Sequence, residues 1–414
     1  MKKGLLVTFL GLTAFSNAQL VSDSVTMGAG YANNIWYSLQ NDEQGSAQAA
    51  TNWELGLATS INPSNPLAAS IIFNSKIGQL FAVPGTTGSD LLTADTAGIS
   101  GWTSLYNSDS TWSLGALNQA SSGGMDYGWG TYDAVSHSGI NANKIFAIKY
   151  TNGTCKLFSV SLNFNLGEYT IDFCDADHSN VGNIVIPVAS YNTKNFVYYA
   201  MGGAANDREP ATTTWDLLFT QYAVNNGAPY PFNLVTGVLH NVGVEVAELH
   251  PVNDPETDNS FWGATLSENI STIGYDWKTY SGTYTIADSL LYIVKDVDGD
   301  YWRLIMTGFS GSSLGKTVFK KEKVSSLSVS ENTTIVQGIY PNPAATSASI
   351  VIDTKAETVL NVVDMNGTVV YSKSIQGNGL QTQQIDLSTL ANGVYQVVIA
   401  SEANQHTQRL IVQH

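Results

Sequence analysis

Apolar and polar positions alternate at period two along much of this chain, as in Val242–Leu249, Ser349-Ile350-Val351-Ile352 and Val359-Leu360-Asn361-Val362-Val363. Runs of this kind are broken by Asn-Gly and Asp-Gly pairs such as Asn152-Gly153 and Asp298-Gly299. That pattern predicts short strands joined by tight hairpins. Helical spacing is almost absent. Ala47–Leu57 has room for one turn, but its Trp53-Glu54-Leu55 is better read as the start of a strand. The expected fold class is all-β.

The N-terminus departs from this pattern. Lys2 and Lys3 precede an apolar stretch from Leu5 to Phe15, and Ser16-Asn17-Ala18 follows. A basic start, an apolar middle and small residues at the cleavage positions predict a signal peptide over 1–18, removed before Gln19. The stretch is shorter than the ~20 residues a membrane-spanning helix needs. No cysteine lies near the cleavage point, so no lipid anchor is expected there, and no later apolar run predicts a transmembrane segment.

Two landmarks recur in the middle of the chain. Asn33-Asn34-Ile35-Trp36-Tyr37 with Asn52-Trp53-Glu54-Leu55 is echoed by Lys194-Asn195-Phe196-Val197-Tyr198-Tyr199 with Thr214-Trp215-Asp216-Leu217. Trp129-Gly130-Thr131-Tyr132, followed by Ile145–Lys149, is echoed by Trp277-Lys278-Thr279-Tyr280, followed by Leu290–Lys295. Order and content agree, which predicts a duplicated β module. The copies are placed at 19–190 and 191–325, with a long insertion in the first near 86–122, and 326–337 read as a linker.

From residue 338 the texture changes to Tyr340-Pro341-Asn342-Pro343, the turn Asp364-Met365-Asn366-Gly367, Leu390-Ala391-Asn392-Gly393-Val394-Tyr395 and a terminal Arg409-Leu410-Ile411-Val412. Six or seven strands in about 75 residues argue a small Ig-like β-sandwich over 338–414. These motifs resemble the type A C-terminal sorting domain of the type IX secretion system of Bacteroidota. The resemblance implies recognition by the outer-membrane translocon and a secreted or cell-surface destination.

Composition narrows the function classes. The chain has 18 basic and 34 acidic residues, a net charge of −16, so a nucleic-acid backbone would repel it. Two cysteines cannot form a disulfide framework. Cys155 and Cys174 fall on the two arms of a hairpin turning near Asn165–Glu168, where either one bridge or two free thiols fit. Asp296-Val297-Asp298-Gly299-Asp300 lacks the Gly and Glu positions of an EF-hand loop and reads as a hairpin turn. His250–Asp258 reads as a solvated acidic connection. No nucleophile elbow, metalloprotease motif, Walker loop or dinucleotide fingerprint is present, and no enzyme activity is expected.

Trp215–Tyr222, the preceding Phe196–Tyr199 strand, Gly237-Val238 and the hairpin into Arg303–Phe309 resemble the HmuY family of secreted or surface haem-binding proteins. The second copy matches better than the first. The resemblance implies two tandem HmuY-like β modules and haem as a candidate ligand. On it, His137 is a candidate iron ligand, with Met125 as a second axial atom and Tyr127, Trp129 and Tyr132 as porphyrin contacts. Tyr280 occupies the corresponding loop of the second copy. For each of these residues the alternative is an ordinary loop or packing role. His178, His240 and His250 read as solvated or rim residues, and Met201 as core filling. Two further functions stay open: a surface adhesin or carbohydrate binder, favoured by abundant Trp and Tyr on β faces, and a secreted hydrolase with a dispersed site.

Overall fold

Neighbouring residues of a strand face opposite sides of its sheet, so in the middle region the alternation decides which of three stacked cores each side chain joins. The computed structural model describes residues 20–62, 65, 67–226, 232–258, 263–324, 335–354, 357–365, 367–376, 379–401 and 405–414. The expected signal peptide and most of the expected 326–337 linker lie outside these residues. The chain divides into two units, 1–324 and 325–414.

In the first unit the first repeat folds as β1 (Val21–Thr26), β2 (Asn33–Ser38), β3 (Asp42–Ala49), β4 (Leu55–Ala58), β5 (Ile71–Phe73), β6 (Gly78–Ala82), β7 (Gly130–Tyr132), β8 (Gly139–Ala142), β9 (Phe146–Tyr150), β10 (Cys155–Asn163) and β11 (Glu168–Asp175). The second folds as β12 (Gly182–Pro187), β13 (Phe196–Tyr199), β14 (Ala205–Asn206), β15 (Leu217–Asn225), β16 (Phe232–His240), β17 (Glu245–Leu249), β18 (Lys278–Tyr280), β19 (Tyr284–Ile286), β20 (Leu291–Lys295), β21 (Tyr301–Phe309) and β22 (Lys316–Val324). Among the described residues the helical turns are short 3-10 segments such as Ala116–Ala120.

These strands build four layers. One outer sheet has the order β1-β22-β21-β20-β17, and the sheet beside it β3-β2-β15-β16. The third sheet is β14-β13-β4-β5, and the fourth runs β12-β11-β10-β9-β6, with β8 and β7 continuing from β10. Ile35, Tyr37, Leu217 and Phe219 join the core of the first two layers, which holds Trp277 and Trp302. Their strand neighbours Trp36 and Leu218 point the other way, into the central core with Trp53, Phe196, Tyr198 and Trp215. Val197, Tyr199, Leu55 and Leu57 face the third core, around Trp129, Phe146 and Tyr169. Trp36, Trp129, Trp215 and Trp277 are all fully buried. At about 25 cal/mol per Å², each such ring contributes on the order of 4–6 kcal/mol of gross burial.

The layers with like topology are built by exchange between the repeats. β2 pairs with β15 and β1 with β22, whereas β13 pairs with β4 and β12 with β11. Each lobe therefore takes its first three strands from the other repeat, and the structural repeat restarts at β12 rather than at residue 191. Local bonding repeats with it. The Asp216 N–H donates to Tyr37 O at 2.8 Å and the Glu54 N–H to Tyr199 O at 2.9 Å. Asn241 donates its side-chain amide to Trp215 O, and Asn74 donates its amide to Trp53 O. Glu54 and Asp216 each accept a backbone N–H just past the exchanged strand, from Met201 and Leu39 respectively.

Cys155 and Cys174 are free. Strand register sets Leu157 opposite Cys174 and leaves Cys155 two residues further along, so the two side chains do not face one another across the ladder. Asp296–Asp300 is the tight β20–β21 turn, closed by the Asp296 N–H to Asp300 O bond at 2.9 Å.

The second unit carries β23 (Ile335–Tyr340), β24 (Ser347–Thr354), β25 (Thr358–Val363), β26 (Val369–Ile375), β27 (Gly379–Asp386), β28 (Gly393–Ser401) and β29 (Gln405–Val412). They form two sheets, β23-β24-β27 and β26-β25-β28-β29, packed over Ile350, Ile352, Leu360, Val362, Val397, Ile399 and Leu410. This is the expected small sandwich. The β25–β26 turn is closed by the Gly367 N–H to Asp364 O bond; Asn366 in it lies outside the described residues.

Candidate ligand cleft

The β6–β7 connection of the first repeat, which carries the insertion, is longer than the β17–β18 connection of the second, and it bridges the seam between the two central sheets. Asn107 fastens it to the open edge of β5: its Oδ1 accepts the Phe73 N–H at 2.8 Å and its Nδ2 donates to Phe73 O at 2.8 Å, as a neighbouring strand would. Trp112 reaches the other lobe, donating its indole N–H to His240 O at 2.8 Å. The Ile270 N–H donates to Ser110 O at 3.2 Å. Gly128 makes room for the segment's return. Its φ is 93°, and a Cβ there would lie 2.3 Å from Leu117 O.

This bridge encloses a cleft of about 400 Å³, with Thr103–Asp109 and Gln119 on one wall and Ala223, Asn225 and Phe232 on the other. Tyr106 and Phe232 stack at its margin with ring centroids 3.7 Å apart. The remaining lining is hydroxyl, amide and aliphatic, and among the described residues Asp109 is its one ionisable carboxylate. Asn107 also lines a smaller inner pocket of about 50 Å³ between the two central sheets.

Beyond that pocket the central layer holds buried charge. The Arg208 guanidinium lies 5.3–5.8 Å from the rings of Trp36, Trp53 and Tyr198, a cation–π arrangement. Burial lowers its pKa to about 10. Glu209 is buried beside it and accepts the N–H groups of Asn195 and Phe196 and the Tyr198 hydroxyl. Burial raises its pKa to about 7 against those bonds.

The haem candidates lie elsewhere. Met125 and His137 flank β7 on one exposed loop system around Tyr132, whose N–H donates to Met125 O at 2.9 Å and whose hydroxyl is 2.7 Å from His137 Nδ1. Met125 is 53% exposed, and Trp129 is fully buried in the lobe core rather than beside His137. Tyr280 ends β18 in the other lobe, is 67% exposed and packs against Tyr284 in a tilted pair with ring centroids 4.9 Å apart. It is the structural counterpart of Tyr132, three residues after the core Trp of its repeat, and it is not gathered with Met125 and His137.

Two histidine expectations are corrected. His240 is not at a rim: it is 1% exposed, with Nε2 2.7 Å from Asn269 O, and burial lowers its pKa. His178 is half-buried, with Nε2 2.9 Å from Ala94 O. The cleft aromatics Tyr106 and Phe232 were missed because the insertion shows no strand period and nothing local joins it to β16. The available signal was Trp102, Tyr106 and Trp112 close together in a polar segment.

A search of curated proteins finds no match to this chain. Residues 338–413 match the family described as the secretion system C-terminal sorting domain, and that match does not extend over the four-layered unit. Among the described residues no helix is long and apolar enough to cross a membrane. The C-terminal unit is thus a type IX sorting domain, and the protein that carries it is secreted or displayed at the cell surface.

Proposed function

We propose that this is a non-enzymatic binding protein of the cell surface or its surroundings, and that its ligand is a neutral carbohydrate taken in the cleft under the insertion. The observation that carries this is the cleft itself: hydroxyl and amide groups beside the Tyr106–Phe232 stack. Sugars are bound by that combination of polar groups for their hydroxyls and flat rings for their C–H faces. A neutral ligand also avoids repulsion by a chain of net charge −16.

A second reading is favoured by one observation. Tyr132 draws Met125 and His137 into one loop system, as two HmuY-like modules with haem at that loop would require. Glycan-array binding by the mature protein, run beside a haemin titration, separates the two. The carbohydrate reading expects array binding that weakens on the order of tenfold in Tyr106→Ala. A Soret shift abolished by His137→Ala, with no glycan bound, would replace it by the haem reading.

A further inference from the structure

Three residues that line the inner pocket each carry a polar atom that nothing in the protein satisfies. Trp53 is 7% exposed and Tyr222 9%. The Trp53 indole N–H, the Tyr222 hydroxyl and the Ser75 hydroxyl have no hydrogen-bond partner, and all three residues line this pocket. Buried polar groups in folded proteins are nearly always paired, so three on one small cavity mark a place for an outside partner. Other polar groups at the pocket are engaged within the protein: Asn74 and Asn107 bond backbone groups, and Gln221 accepts from Lys76 Nζ at 2.8 Å.

We propose that this pocket is a specificity subsite that takes the acetamido group of an N-acetylated sugar whose ring lies in the cleft. The inference rests on the carbohydrate reading and adds the class of sugar. The chemistry selects this group. An indole N–H only donates, so it requires an acceptor, which the amide carbonyl supplies. The amide N–H then needs an acceptor, which a Tyr222 or Ser75 hydroxyl oxygen supplies. The methyl group meets Phe73, Trp112 and Leu239, which give the pocket its apolar wall. A bare hydroxyl would leave that wall uncovered, and a carboxylate would enter a pocket lined by no cationic side chain. Asn107 lines both spaces, so the two adjoin, and the proposal places the sugar ring in the first and its acetamido group in the second.

The test compares N,N′-diacetylchitobiose with cellobiose, which share a linkage and differ in the acetamido groups. Affinity for the full mature protein is followed by tryptophan fluorescence, in wild type, Tyr222→Phe, Ser75→Ala and Trp53→Phe. The expected result is a preference for the acetylated disaccharide of about tenfold or more, reduced in each variant while cellobiose affinity holds. Tyr222→Phe and Ser75→Ala keep the fold under test if Trp53→Phe does not fold. Equal affinity for both sugars, still weakened by Tyr106→Ala, would overturn the subsite and leave the cleft reading intact. Binding of neither sugar, with no neutral glycan bound on the array, would overturn both.

Discussion

Replacing Glu209 by Gln should flatten the pH dependence of stability between about pH 4.5 and 7. The carboxyl is buried, and burial raises its pKa from the ordinary 4.5 to about 7. A carboxyl raised in the folded state holds its proton there after the unfolded chain has released it. Stability therefore falls as pH rises from 4.5 to 7 and levels off above. At about 1.4 kcal/mol per pH unit, that rise corresponds to about 3 kcal/mol lost across the window. Gln mimics the protonated form in shape and does not titrate, so the variant loses this slope. Other groups act in or near the same window: Asp216, raised by burial to about 6, has the same sign; His240, lowered by burial, has the opposite one. Lys278, lowered by burial to about 7, acts mainly at higher pH. The quantity that isolates Glu209 is the difference between wild type and variant. Urea unfolding of the full chain, followed by tryptophan fluorescence at several pH values, measures it, because all nine tryptophans lie between residues 36 and 302. The variant should gain about 3 kcal/mol relative to wild type between pH 4.5 and 8. Parallel profiles would refute the assignment of a buried, proton-holding carboxyl.

Further outcomes follow from the same geometry. Asn74→Ala and Asn241→Ala each remove a buried side-chain amide that holds a Trp carbonyl, so each should cost about 1–3 kcal/mol, and by similar amounts; urea unfolding that finds only one of them destabilising would break the structural equivalence of the repeats. Trp215→Ala empties a fully buried site in the central layer and should cost about 3–5 kcal/mol in the same assay. Removing residues from 325 onward should leave a folded four-layered unit that accumulates in the periplasm; cell fractionation showing normal secretion would refute the sorting role of the C-terminal domain.

The alternation of apolar residues made the all-β class legible, and Trp53, Trp129, Trp215 and Trp277 made the duplication legible, because a tryptophan fixed at one point of a core is easily matched in two copies. The exchange of strands was not legible. β2 and β13 carry nearly the same pattern, and either would satisfy β4 or β15 by alternation alone. The choice is made by chain connectivity and by contacts such as Asp216 to Leu39 and Glu54 to Met201, far apart in sequence. His240 was misread because a strand end next to a loop is usually exposed, and here Asn269 O engages its ring and Trp112 of the insertion bonds its carbonyl. The cleft was hidden for a related reason: its walls come from an aperiodic loop and two strands of the other repeat, β15 and β16, and no local spacing joins Tyr106 to Phe232. The sorting domain was the most legible part, since its turn and strand motifs lie within 76 matched residues.

Hydrogen exchange of the full mature chain, with and without the tightest-binding glycan from the array, tests the location of the site most directly. Slowed exchange centred on Thr103–Gln119 and on strands β15 and β16 is the expected result. Protection at the Met125–His137 loop with none at the insertion would contradict it.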